Sequence, residues 1–196
     1  MKLNWFSLLF VILVAASCVD EDYLPKPKAY LRLDYPEPKY TSLNLNVPFD
    51  FQVNQVTKNI IVKPIKAPTE SYGIDLDYPV LKGTVFLTYK AIKNNKDHLL
   101  EYLRDADKFT FEHTRKADDI PVFPFENKLD RVFGQLSEVK GNVASPVQFY
   151  VTDSINHFLI GSLYFKVKPN YDSIFPAIQY VKKDVEYIME TLKWKE

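Results

Sequence analysis

The chain holds one cysteine, Cys18, and it stands at the end of a short apolar leader. A lone thiol can close no disulfide within the chain and build no zinc–thiolate centre, so the fold must be held by burial. Lys2 gives the leader its positive start, Trp5 to Val14 its apolar middle, and Ala15, Ala16 and Ser17 its small residues before the cysteine. This order reads as a secretory signal over 1–17 ending in a lipobox, with Cys18 the lipidated first residue of the mature chain. Ala15 stands where a lipobox usually carries Leu. An ordinary signal peptide with an unmodified cysteine is the competing reading. Lipidation explains why the single cysteine falls on the cleavage boundary. The apolar run is about twelve residues, short of the roughly twenty that a spanning helix needs. The expectation is a domain outside the cytoplasm, lipid-anchored at a bilayer through Cys18.

Charge excludes several partners. Lys and Arg total 25, as do Asp and Glu, and the leader removes only Lys2. A near-neutral mature chain lacks the basic face of a nucleic-acid binder. It also lacks a strong electrostatic attraction to anionic lipid. The five glycines, Gly73, Gly83, Gly134, Gly141 and Gly161, allow neither a dinucleotide-binding fingerprint nor a phosphate loop. His98, His113 and His157 are too widely spaced for a HExxH zinc helix. No serine occupies a G-x-S-x-G elbow. No cofactor and no metal site is expected.

Residues 18–48 read as a tether. They start with Asp20, Glu21 and Asp22 and then carry Pro25, Pro27, Pro36, Pro38 and Pro48. Proline fixes φ and lacks an amide donor, which favours extended backbone. About thirty such residues reach on the order of 90 Å. Tyr23, Tyr30, Leu31, Leu33, Tyr35 and Tyr40 are interleaved with the prolines, whereas free spacers are poor in aromatics. Either the segment packs on its own domain, or it docks a partner through residues such as Tyr30, Arg32 and Tyr35.

From Phe49 to residue 196 the pattern is that of a folded domain. Phe49, Phe51 and Val53 alternate with polar residues, and strands follow over 59–63, 73–78 and 83–92. After Asn94 and Asn95, the spacing of Leu99, Leu103, Ala106, Thr110, His113 and Ala117 predicts an amphipathic helix of roughly twenty residues. A strand is expected over 130–140, broken by Gly134, and a hairpin over 147–152 and 157–167. The chain ends in a second helix. Ser173 is its expected cap, Pro176 falls in the first turn, and Ile178, Val181, Val185, Ile188 and Leu192 form its apolar stripe. Strands, helix, strands, helix is the order of a single α+β domain with a mostly antiparallel sheet and two packed helices.

Polar residues with chemical potential have structural readings as well. The cluster around His113 and Arg115 could bind an anion or an acidic partner surface, but cations also suit a helix C-terminus. Asp153, Ser154 and His157 are the residue types of nucleophilic catalysis, yet they lie together in one polar turn, whereas triads converge from separate elements. Tyr78, Tyr89, Tyr150 and Tyr164 could form an aromatic platform, or serve as core and cross-strand residues.

Several segments carry a family resemblance. They are residues 25–40, 83–90 (Gly-Thr-Val-Phe-Leu-Thr-Tyr-Lys), 113–118 (His-Thr-Arg-Lys-Ala-Asp), 141–154 (Gly-Asn-Val-Ala-Ser-Pro-Val-Gln-Phe-Tyr-Val-Thr-Asp-Ser) and stretches of 163–194. Together they resemble the gliding-motility lipoprotein GldD family of Bacteroidetes-type bacteria, with Ala29 where Gly is expected. The resemblance implies a role in gliding and in the associated type IX secretion machinery, as an outer-membrane lipoprotein facing the periplasm. It implies other envelope proteins of that machinery as partners, and no reaction. The chain's end also resembles Mog1/PsbP-like α+β domains, an analogy of fold without functional content. The expected function is therefore a non-enzymatic accessory or assembly lipoprotein. The alternative is an envelope enzyme or binder directed at peptidoglycan or another glycan, which would need paired carboxylates in a cleft.

Overall fold

The computed structural model describes residues 34–111, 117–167 and 170–195. Cys18, Tyr30, Arg32, His113 and Arg115 lie outside the described residues.

A seven-stranded antiparallel sheet forms the centre of a single α+β domain. Its strands are β4 (Lys58–Pro64), β5 (Ser71–Tyr78), β6 (Gly83–Ala91), β8 (Val122–Asn127), β9 (Val132–Glu138), β11 (Val147–Thr152) and β12 (His157–Phe165). They lie in the order β4-β5-β6-β12-β11-β9-β8. The helices are α1 (Lys96–Phe111) and α2 (Tyr171–Thr191). Short strands β1 (Tyr40–Ser42), β2 (Phe49–Asp50), β3 (Gln52–Asn54), β7 (Ala117–Asp119), β10 (Lys140–Gly141) and β13 (Lys193–Trp194) pair in three two-stranded additions.

Period-two alternation assigns the two faces. Val85, Leu87 and Tyr89 of β6 share register with Leu163, Gly161 and Leu159 of β12, which in turn oppose Val147, Phe149 and Val151 of β11. This face is buried under α2 and the β1–β3 region: Ile178, Val181, Val185 and Ile188 pack with Leu43, Val47, Phe49, Phe51 and Val53 in one core. Each such fully buried aliphatic side chain contributes about 1.5–3 kcal/mol. The opposite face presents Phe158, Ile160 and Tyr150, and α1 covers it with Tyr102, Ala106, Leu99 and Leu103. The two helices thus stand on opposite faces of one sheet.

Local signals explain several boundaries. Asn95 Oδ1 accepts the Asp97 amide at 2.9 Å and starts α1. Its described end is Phe111, and Ala117 belongs to β7, not to a continuing helix. At α2 the cap is Asn170 in place of the expected Ser173; Asn170 Oδ1 accepts the Ser173 amide at 3.4 Å. The helix therefore begins earlier, and Pro176 falls in its second turn, where it removes one backbone hydrogen bond. Gly134 does not break β9. The strand runs through it, and a Cβ there would lie 1.9 Å from the Tyr150 carbonyl oxygen, so only glycine allows the close approach of β11. Strand β8 has no clear signal in the sequence because Pro124 interrupts its alternation. At the outer edge of a sheet a proline is tolerated, and it blunts strand addition.

The folded unit begins before Phe49. Tyr40, Thr41 and Ser42 pair with Asn54, Val53 and Gln52, and Leu43 and Val47 are buried. At the other end of the chain β13 pairs with β2, opposite Asp50 and Phe49.

Candidate functional site

Two polar clusters stand out, one under the N-terminal strand and one at an end of the sheet. In the first, Asp184 of α2 is 1% exposed. Tyr40 Oη donates to its Oδ1 at 2.8 Å, and Asn54 Nδ2 donates to Oδ1 at 3.1 Å and Oδ2 at 2.9 Å. Asn54 is held in turn by the Val56 amide, which donates to its Oδ1 at 3.2 Å. Burial raises the Asp184 carboxyl above the usual carboxylate range, and the hydrogen bonds from Tyr40 and Asn54 partly offset it. Tyr180 Oη donates to the Pro36 carbonyl at 2.9 Å, and the Tyr35 ring stacks on Tyr180 with centroids 5.0 Å apart. Tyr35, a sequence candidate for partner contact, is thus half-buried against its own domain. Its hydroxyl is buried without a hydrogen-bond partner among the described residues.

The second cluster lies where the tips of two hairpins meet the C-terminal strand. The turn over 128–131 joins β8 to β9, and the turn over 153–156 joins β11 to β12. With Trp194 they border an open groove of about 470 Å³. The Asp153 carboxylate holds its own turn: Oδ1 accepts the amides of Ile155, Asn156 and His157 at 2.9, 2.8 and 2.8 Å. Thr152 Oγ1 donates to the His157 carbonyl at 2.6 Å and accepts the Ser154 amide at 2.9 Å. The His157 ring lies flat on Trp194, with centroids 5.0 Å apart and planes at 6°. Its Nδ1 is 2.9 Å from Tyr89 Oη. Burial lowers the His157 pKa, against the opposing fields of Asp153 and Glu70. The neutral ring that burial favours can accept the Tyr89 hydroxyl at Nδ1 with its own proton on Nε2.

Asp153, Ser154 and His157 therefore share a turn without forming a triad. The aspartate binds backbone amides instead of the imidazole, and the imidazole faces Tyr89 instead of the serine. Tyr78 and Tyr89 are core residues, 1% and 2% exposed, while Tyr150 stacks on Phe158 beneath α1 and Tyr164 meets Phe86 edge-on. Among the described residues, no group of three or more His, Cys, Asp or Glu side chains could hold a metal ion. Also among them, no helix is long and apolar enough to cross a membrane.

The family model for gliding motility lipoprotein GldD matches residues 20–194. The chain belongs to that family. The matched residues hold the whole tyrosine–aspartate cluster and every lining residue of the groove except Lys195. Searches of the curated proteins and of the solved structures gave no match.

Sequence reasoning missed Asp184. It sits on a helix among Lys182, Lys183 and Glu186, a run that reads as a solvated face. Its only signal was position: Asp184 falls three residues after Val181 and four before Ile188, beside the apolar stripe.

Proposed function

We propose that this gliding-motility lipoprotein is a non-enzymatic accessory or assembly component of the gliding apparatus and of the associated type IX secretion machinery. It is anchored in the outer membrane through lipid on Cys18, and its domain faces the periplasm. Membership of the GldD family is the observation that carries this reading. Two others support it. The lone cysteine lies at the end of a secretory leader, and a near-neutral chain has no second strong membrane anchor. The polar residues that most resemble catalytic groups are engaged in turn geometry and stacking.

Complementation of null cells tests the reading. Wild-type protein should restore gliding and secretion and fractionate with the outer membrane. Cys18→Ala should leave a folded protein in the soluble periplasmic fraction and fail to restore gliding. Ser154→Ala, at a hydroxyl outside the groove lining, should restore it fully. Undiminished membrane retention of Cys18→Ala would refute the anchor. Loss of gliding with normally expressed Ser154→Ala would refute the non-enzymatic role.

A further inference from the structure

The groove at the end of the sheet carries charge that the fold leaves without a partner. Arg131 and Lys193 line it, and neither side chain makes a hydrogen bond or an ion pair to a described residue. The third cation there, Lys195, donates to the Leu45 carbonyl at 3.1 Å. The two acids are already engaged in turns. Asp153 accepts three backbone amides, and Asp130 Oδ2 accepts Asn127 Nδ2 at 3.0 Å. The lining thus holds three cations against two carboxylates, one net positive charge, and it is the donors of Arg131 and Lys193 that are left open while both acids are committed to their turns.

The turn over 128–131 is poorly explained by folding alone. Leu129 is 92% exposed, the highest value among the exposed large hydrophobics of the described residues, and Ile155 on the facing turn is 37% exposed. Neither side chain serves the core. Arg131 has φ 52°, a left-handed conformation that glycine or asparagine adopts more easily than arginine. Arg131 shares that conformation with Lys82 and Lys93; what sets it apart is that it stands in the groove lining beside an exposed leucine. The floor is rigid: Trp194 is stacked on His157, and its Nε1 donates to the Arg131 carbonyl at 3.2 Å.

We propose that this groove docks an acidic segment of a partner protein, with Arg131 and Lys193 pairing its carboxylates and Leu129 and Ile155 covering its apolar residues. Arginine and tryptophan, both present in the lining, are enriched among the residues that carry protein-binding energy. Arginine pairs a carboxylate through two parallel hydrogen bonds, which fixes direction as well as charge. Two free cations in a neutral chain are too few for a nucleic acid, whose backbone is matched by a broad basic face. The inference rests on the accessory role above only for the setting in which the partner is met.

The test uses the full-length mature protein in detergent and two fluorescent synthetic peptides, one alternating Glu and Leu and one alternating Lys and Leu. Fluorescence anisotropy should show binding of the Glu/Leu peptide alone. Arg131→Gly should weaken it at least tenfold while the thermal midpoint stays the same or rises, because glycine relieves the left-handed position. Lys193→Glu should weaken it by a similar factor. Equal binding of both peptides, no binding of the Glu/Leu peptide, or full binding by both variants would overturn the proposal. The same variants in null cells separate it from the accessory role. Gliding restored in full by a variant that has lost peptide binding refutes the groove's part and leaves the role intact. Null cells that glide and secrete normally refute the role, whatever the peptides do.

Discussion

Tyr40 and Asp184 are 144 residues apart in the chain and share a hydrogen bond of 2.8 Å. That bond fastens the first strand of the fold to the middle of its last helix, over a carboxylate that is almost wholly buried.

Tyr40→Phe should therefore destabilise the domain by about 1–3 kcal/mol, the range for leaving a buried acceptor short of a donor. The loss should depend on pH. The tyrosine hydroxyl favours the ionised form of Asp184, whose folded pKa is raised by burial. Above that pKa the carboxylate is charged and the missing donor is felt in full. Below it the neutral acid tolerates the change. Urea unfolding of both proteins at about pH 8 and about pH 4 checks this; an equal or larger loss at the acidic end would contradict it.

Trimming the N-terminal side should show that residues 34–48 belong to the folded unit. A chain beginning at Phe49 lacks Tyr40, Leu43 and Val47, and so loses a strand, two buried aliphatic residues and the donor to Asp184. A loss of at least about 3 kcal/mol lowers the thermal midpoint by roughly 6–12 °C in a domain of this size. A chain beginning at Asp34 keeps the strand, both aliphatic residues and the donor, and should melt above the Phe49 chain by that margin. Identical midpoints for the two chains would show that 34–48 contributes nothing to stability.

His157 should make the domain lose stability on mild acidification. In the unfolded chain its imidazole takes a proton near pH 6.5. In the folded state burial holds the pKa lower. Between the two values the unfolded chain binds more protons, so stability falls as the pH drops through that window. His157→Gln removes this term. Unfolding free energies measured from about pH 7.5 to pH 5 should fall less steeply for the variant, and parallel profiles would count against the assignment. Asp184 is common to both proteins and cancels in the comparison.

Two glycine-to-alanine changes should differ sharply. In Gly134→Ala the new methyl would meet the Tyr150 carbonyl oxygen at 1.9 Å, and both strands are fixed by neighbours on either side. A cost of about 3 kcal/mol or more is expected. In Gly73→Ala the nearest atom is Ile65 Cδ1 at 3.5 Å, an ordinary contact, so the change should be neutral or stabilise by about 0.4–1 kcal/mol. Chemical denaturation of the pair tests the reading, and similar losses for both would refute it.

The parts of the fold legible in the sequence were those whose signal is local. Alternation in 83–91 and 147–152 marks strands buried on one face, and the stripe from Ile178 to Ile188 marks a helix lying on them. What stayed hidden depends on distance along the chain. Asn170 outcompetes Ser173 as a cap through one side-chain hydrogen bond that the sequence pattern does not distinguish. Pro124 masks a strand that is possible only because it lies at the sheet edge. The prolines around Tyr40 suggest an extended spacer; over Tyr40–Ser42 the backbone is instead a strand paired with Gln52–Asn54, a partner the local pattern does not show. Asp153 and His157 were visible as a polar turn, but Leu129, Arg131 and Trp194 reach the same groove from two other parts of the chain.

The attachment of the N-terminal strand also fixes how the molecule bears load. A pull on the chain from its N-terminal side reaches the Tyr35–Tyr180 stack and the Pro36 carbonyl first, then the ladder between β1 and β3 and the Asp184 clasp. All of these lead into α2. Tension is thereby delivered to a long helix seated on the core, and the hairpins of the seven-stranded sheet stay out of the line of force. A domain towed by its leading end in this way would yield first at the β1 clasp, and the groove would feel the release, because Lys195 holds the Leu45 carbonyl and β13 pairs with β2.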